Sequence, residues 1–174
     1  MEIVVVLFLI SVIFLLLYVI YVLLYSMILG APYAATRARK MNMMLDLLKL
    51  TTGDKFVDLG SGDGRFVIEA AKKGVNSYGY EMNPILVIIS RNKIKNEKLP
   101  AKAKIFWKSY WSVNLGEYNA VAVFGIKHIM PSLSKKLKNE LKEGSRVVSN
   151  HFRFPNWKES EKKENLYLYK RSEI

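Results

Sequence analysis

Between Ile3 and Leu29 the chain carries no charged residue and consists mostly of Val, Leu, Ile, Phe and Tyr. About 20 apolar residues cross the hydrocarbon core, and this run is long enough to do so with some tilt. A cleavable signal peptide has a basic start, an apolar core of roughly 7–15 residues and a small-residue cleavage site. Here the start is Met1-Glu2, and the apolar run continues far beyond that length. The expectation is a retained single-pass anchor over residues 1–30, ended by Gly30-Ala31-Pro32, where proline cannot continue a helix. Only Glu2 and the terminal amine precede the run, and Arg37, Arg39 and Lys40 follow it. The positive-inside rule then places the remainder on the cytoplasmic face of the cell membrane.

Residues 31–174 are the usual size of one domain with its own core. The chain has no cysteine and two histidines, His128 and His151, which excludes disulfides and leaves no ligand set for a structural zinc, so no metal is expected. Its net charge of +12 reads as a lysine-rich solvated surface, as attraction to anionic lipid beside the anchor, or as attraction to nucleic acid. Composition does not separate these three.

Punctuation along the domain alternates strands with helices. Met41, Met44, Leu45 and Leu48 recur at helical spacing over 36–50 and read as core packing. Short apolar strands are expected at 55–59, 75–80, 104–107, 120–124 and 146–149. Helices are expected at 65–73, closed by Gly74, from Asn83-Pro84 onward, and from Pro131, with Leu133, Leu137 and Leu141 on one face. In the helix opened by Asn83-Pro84, the residues Ile85, Leu86, Ile88 and Ile89 supply the expected buried stripe. Residues 166–169 are read as a last, edge strand, and the Lys- and Glu-rich stretch 158–165 as an exposed loop. The pattern predicts an α/β domain of Rossmann-like, doubly wound type around a parallel sheet.

The segment Asp58-Leu59-Gly60-Ser61-Gly62-Asp63-Gly64-Arg65 falls where the first strand meets the first helix. Glycines belong there because the chain turns sharply and a ligand comes close to bare backbone. A dinucleotide fingerprint, G-x-G-x-x-G, has its third glycine five residues after the first. Here Gly64 comes one residue earlier and Arg65 stands at the dinucleotide position, which favours the G-x-G-x-G turn of S-adenosylmethionine (SAM) sites. Glu81, directly after the second strand, is placed to accept hydrogen bonds from both ribose hydroxyls of a nucleoside cofactor. Asp58 is a candidate second anchor near the methionine amino group, through water. Asn83 is either an adenine contact or simply a helix cap.

Taken in order, these motifs resemble a known family. The apolar N-terminus with Gly30-Ala31-Pro32-Tyr33, the Asp58–Arg65 turn, and Gly79-Tyr80-Glu81-Met82-Asn83-Pro84 are the first part of the match. Phe124-Gly125 with Met130, then Arg146-Val147-Val148 and Phe152-Arg153-Phe154-Pro155-Asn156-Trp157, complete it. The chain is similar to the small class I protein-lysine methyltransferases related to those acting on the ATP synthase c subunit and the adenine nucleotide translocase, with archaeal and bacterial relatives. The resemblance implies SAM as cofactor and lysine side chains of protein, a membrane protein among them, as substrate. It implies a cofactor site of Asp58, Gly60, Ser61, Gly62, Gly64, Glu81, Met82, Asn83, Ser109 and Tyr110. It also implies an apolar channel for the lysine, lined by Tyr33, Phe124, Gly125, Phe152, Phe154 and Trp157. No residue stands out as a general base.

The chain departs from the family pattern twice. Ser109-Tyr110-Trp111 replaces the usual acid before Leu-Trp, which alters the adenine contact, and Lys127 stands where the family tends to have proline. Phe124-Gly125-Ile126-Lys127 is not the Asn/Asp-Pro-Pro-aromatic motif of base-amine methyltransferases, which argues against nucleic acid. Two alternatives stay open: an RNA or small-molecule methyltransferase with the same cofactor site, and a SAM-binding membrane protein without catalysis.

Overall fold

The structure, a computed structural model, describes residues 2–29 and 38–172. Helix α1 (Glu2–Leu29) follows the uncharged run, and its 28 residues extend about 42 Å at 1.5 Å per residue, more than the roughly 30 Å of hydrocarbon in a bilayer. Its most apolar stretch, Glu2–Val22, is not buried against the rest of the chain, and by length and composition it is able to cross a membrane.

The domain contains α2 (Ala38–Leu48), β1 (Lys55–Leu59), α3 (Arg65–Lys72), β2 (Asn76–Glu81), α4 (Pro84–Asn96), β3 (Ala103–Trp107), β4 (Ala120–Val123), α5 (Met130–Glu140), β5 (Arg146–Asn150), β6 (Glu161–Lys163) and β7 (Leu166–Lys170). The strands form one sheet in the order β3-β2-β1-β4-β5-β7-β6. The first five run parallel, whereas β7 lies antiparallel between β5 and β6. Strand alternation divides the core. Val57, Val121, Val123 and Val147 meet Leu133 and Leu137 of α5 on one face. Phe56, Ala120, Ala122 and Val148 meet Met44, Leu45 and Leu48 of α2 and Phe66 of α3 on the other. Farther along that second face, α3 and α4 cover Ala103 and Ile105 through Val67, Val87 and Ile94.

Three expectations are corrected. The sheet is mixed, because β7 returns antiparallel after β5. β7 is not the edge, since part of the stretch expected as loop pairs with it as β6, through Glu161, Lys162 and Lys163. In α4 the residues turned inward are Val87, Ser90 and Ile94, not the expected isoleucine stripe. The reason is a close approach: a Cβ on Gly64 would lie 2.7 Å from Ser90 Cβ, so the small serine lets α4 settle against the glycine turn. Ile85, Ile88 and Ile89 consequently face outward.

Arg146 fastens α2 to the sheet. Its guanidinium donates to the carbonyls of Leu48 and Lys49 at the end of α2 and to Asp54 Oδ1 at 2.6 Å. Burial works against the Asp54 charge, but the Thr51 amide and Arg146 outweigh it and hold the carboxyl below its ordinary range.

Candidate active site

Strands β2 and β4 flank β1 on opposite sides, so the connections diverge at the carboxyl end of β1, the place where open α/β sheets take their ligands. The chain leaves β1 through Gly60, Gly62 and Gly64, with φ of +85°, +55° and +75°. These left-handed conformations strain any residue with a side chain. The amides of Gly60 and Ser61 both donate to the Tyr80 carbonyl, at 2.9 and 3.0 Å, which lashes the turn to β2. The outer glycines differ in purpose. A Cβ on Gly60 would meet nothing within 4 Å, so that side of the backbone is open, whereas Gly64 is required by the packing of Ser90.

Glu81 does more than the sequence suggests. Its Oε2 accepts from the Gly62 amide at 2.9 Å, and its Oε1 accepts from Met82 and Asn83 at 2.8 and 2.7 Å. A carboxylate offers about four acceptor positions, so this side chain clasps its own loop and the glycine turn while keeping capacity for a hydroxyl. Asp58 is buried and receives no side-chain hydrogen bond among the described residues. Burial, then the charges of Glu81 and Asp63, push its carboxyl up to about 7.

Asp63 is a structural member of the site that sequence reasoning missed. Arg65 grips it with two bonds of 2.8 Å, and Lys93 reaches it from α4 at 2.5 Å. Burial opposes its charge, but these cations hold the carboxyl far below the ordinary range. Arg65 two residues on was the only visible signal; the partnership with Lys93, 30 residues away, is legible only in the fold.

The remaining cofactor candidates divide in role. Ser61 lies against Gly79, where an added Cβ would come within 2.6 Å of it, and its buried hydroxyl has no partner among the described residues. Asn83 caps α4, accepting from Ile85 and Leu86 at 3.0 and 3.4 Å. Met82 gives its carbonyl to Trp107 Nε1 at 3.0 Å. Ser109 Oγ accepts from the Trp111 amide at 3.3 Å and so starts the short turn Tyr110–Ser112. Tyr110 is buried, and burial pushes its phenol up to about 12 against the lowering effect of its hydrogen bond with Trp111, with a smaller contribution from the Glu81 charge.

The expected channel is brought together only in part. Phe124 is half-buried at the end of β4, beside Gly125, whose bare Cα makes room for the Met130 sulfur: an added Cβ would lie 2.5 Å from it. Phe152 is half-buried and meets His151 edge-on at 4.8 Å. Phe154 is corrected from channel wall to core. It is 3% exposed, packs its ring against Trp157 and Tyr169 at 5.6 and 5.0 Å, and donates its amide to the Tyr169 hydroxyl. Trp157 joins that cluster and donates to the Lys170 carbonyl. Tyr33 lies outside the described residues.

An open glycine turn, an acid after β2 and a partnerless buried acid at the end of β1, on a sheet of this order, define a class I methyltransferase fold. Its relatives are of that class. The chain matches the model of the ANTKMT methyltransferase domain over residues 58–161 and belongs to that family. It is 40% identical over 126 residues to a lysine N-methyltransferase of the ATP synthase c subunit from Rattus norvegicus, covering 72% of this chain and 58% of the relative. It is 32% identical to a protein-lysine N-methyltransferase of Saccharolobus islandicus, covering 75% of this chain and 82% of that one. The chain thus spans little more than half the length of its vertebrate relatives. Among solved structures, an RNA methyltransferase from Salinibacter ruber, in complex with S-adenosyl-L-homocysteine, superposes with a TM-score of 0.78 at 27% identity, over 81% of this chain and 95% of that one.

Proposed function

We propose that this chain is a SAM-dependent methyltransferase acting on lysine side chains of protein, with residues 1–30 as a membrane anchor and residues 31–174 as the catalytic domain on the cytoplasmic side. The observation that carries the reading is Asp58, a buried carboxylate without a hydrogen-bond partner among the described residues, beside the open backbone of Gly60 and the ribose-type acid Glu81. An amino-acid cofactor with a cationic amino group and a ribose fits that donor set. Asp58 would face the ammonium, Gly60 and Gly62 the methionine portion, and Glu81 the ribose hydroxyls. Bound there, SAM supplies an electrophilic methyl on sulfur.

The chain's own contribution is to position and to dry the site. A lysine amine has an ordinary pKa near 10.4 and attacks only after losing its proton. Apolar surroundings disfavour the ammonium and orient the nitrogen, and Phe124 and Phe152, half-buried just after β4 and β5, would supply them. The lysine methyltransferases of Rattus and Saccharolobus support lysine as acceptor. The Salinibacter relative supports RNA as a second reading.

The test incubates the full chain with membranes, lysate and methyl-labelled SAM, then divides the sample between protease and nuclease. Label released only by protease is the expected result. Label released by nuclease would promote RNA, and SAM binding without transfer would leave a binding protein.

A further inference from the structure

Outside α1, the large apolar side chains exposed among the described residues are Ile85, Ile88, Ile89, Phe106 and Trp107, at 62%, 60%, 39%, 37% and 58%. Scattered exposed hydrophobics are ordinary on a soluble surface, but the three isoleucines and Trp107 share one corner. Ile85, Ile88 and Ile89 fall on the outward side of α4 at helical spacing, opposite buried Val87 and Ile94. The bond from Trp107 to the Met82 carbonyl holds the indole against the start of that helix. Phe106, its neighbour on β3, the outermost strand of that side of the sheet, points to the opposite face, stacked on Tyr80 at 5.3 Å, and lies outside this patch. Arg91, Lys95 and Lys108 are exposed around the patch.

Its position relative to the chain's entry is informative. Arg39 at the start of α2 pairs with Glu164, in the turn before β7. Leu166 at the start of β7 lies opposite Asn150, the last residue of β5, so the entry point is at the carboxyl end of the parallel strands. Trp107 ends β3 opposite Glu81, which ends β2, and Ile85 follows just after, so the patch reaches the same end. Five strand intervals separate β3 from β7, about 24 Å. The eight residues 30–37 between α1 and α2 span at most about 29 Å. A domain entered at that end is able to present its carboxyl end to a surface in which α1 is embedded.

We infer that the Ile85–Ile88–Ile89–Trp107 corner is a second membrane contact, docking on an anionic lipid surface and fixing the orientation of the domain beside its anchor. The inference rests on reading α1 as an anchor. Apolar side chains with an indole insert at the headgroup level, and a basic rim is drawn to anionic lipid, which is the composition found here.

The chain's lack of cysteine makes the test direct. The full chain is reconstituted into vesicles of phosphatidylcholine and phosphatidylglycerol, with a fluorophore on Ile88→Cys or, as control, on Lys142→Cys, which is exposed beyond the end of α5. Brominated lipid should quench the label at 88 and leave that at 142 unchanged. Quenching should weaken when phosphatidylglycerol is omitted, and a further Ile85→Asp change should abolish it while the protein still floats with the vesicles. Flotation with equal quenching at both positions, or at neither, overturns the docking surface and leaves the anchor standing. Failure to float overturns the anchor itself. Label emission that follows protein density rather than brominated lipid assigns the corner to a second copy of the chain and also overturns the inference.

Discussion

Asp58 and Glu81 are both acids near strand ends, yet their surroundings differ. Glu81 is met by three backbone amides, whereas Asp58 is met by none and sits near two other acids. Its carboxyl, raised by burial to about 7, holds a proton in the folded domain that the unfolded chain has already lost above about pH 4. Stability of the free protein should therefore fall as pH rises from about 4 to about 7 and level off above, an effect on the order of a few kcal/mol. In Asp58→Asn that slope should vanish from thermal unfolding curves. A cationic amino group prefers the ionised form, so SAM affinity should rise about tenfold between about pH 6 and 8 and be flat in Asp58→Asn. Affinity that is independent of pH in both proteins would remove Asp58 from the ligand. Glu81→Ala removes the proposed ribose contact together with the clasp on Gly62, Met82 and Asn83. Calorimetry should show roughly 30- to 1,000-fold weaker SAM binding, or about 2–4 kcal/mol. The thermal midpoint should fall as well, because three amides lose their acceptor.

At the scale of elements, strand β1, the glycine turn, α3 and the start of α4 were legible from sequence, because backbone conformation dictates residue type there: glycines at positive φ, asparagine before proline at a helix start. What escaped was decided by partners distant in sequence. The inward face of α4 follows the small Ser90 because Gly64 lies on it, and no local apolar pattern records that contact. Strand β6 is entirely exposed and polar, with pairing to β7 as its only reason to be a strand. Phe154 looked like channel lining because aromatic residues serve both purposes, and only the packing of Tyr169 makes it core. Helix α2 owes its seat to Arg146 as well as to its methionines. Replacing Arg146 with methionine should keep the packing but leave the buried Asp54 without its cation, costing about 3 kcal/mol in thermal unfolding. Asp54→Asn in the same background should recover part of that loss, and no recovery would mean that the carbonyls of Leu48 and Lys49 were the important acceptors.

The whole molecule joins a long apolar helix to a domain whose site lies at the end where the chain enters. As the proposed anchor, α1 would raise the effective concentration of targets in or beside the same bilayer. The full chain should resist carbonate extraction from membranes. Removing residues 1–30 should preserve methylation of a concentrated soluble target and reduce it in native membranes; equal loss in both would make the segment part of the fold instead. Transfer of methyl from SAM to lysine is read out by amino-acid analysis of labelled membrane protein. After acid hydrolysis the label should migrate with methylated lysine when the native chain is present, and it should be absent with Gly62→Arg, which crowds the open turn. Label recovered as any other methylated residue, or only in nucleic acid, would contradict it.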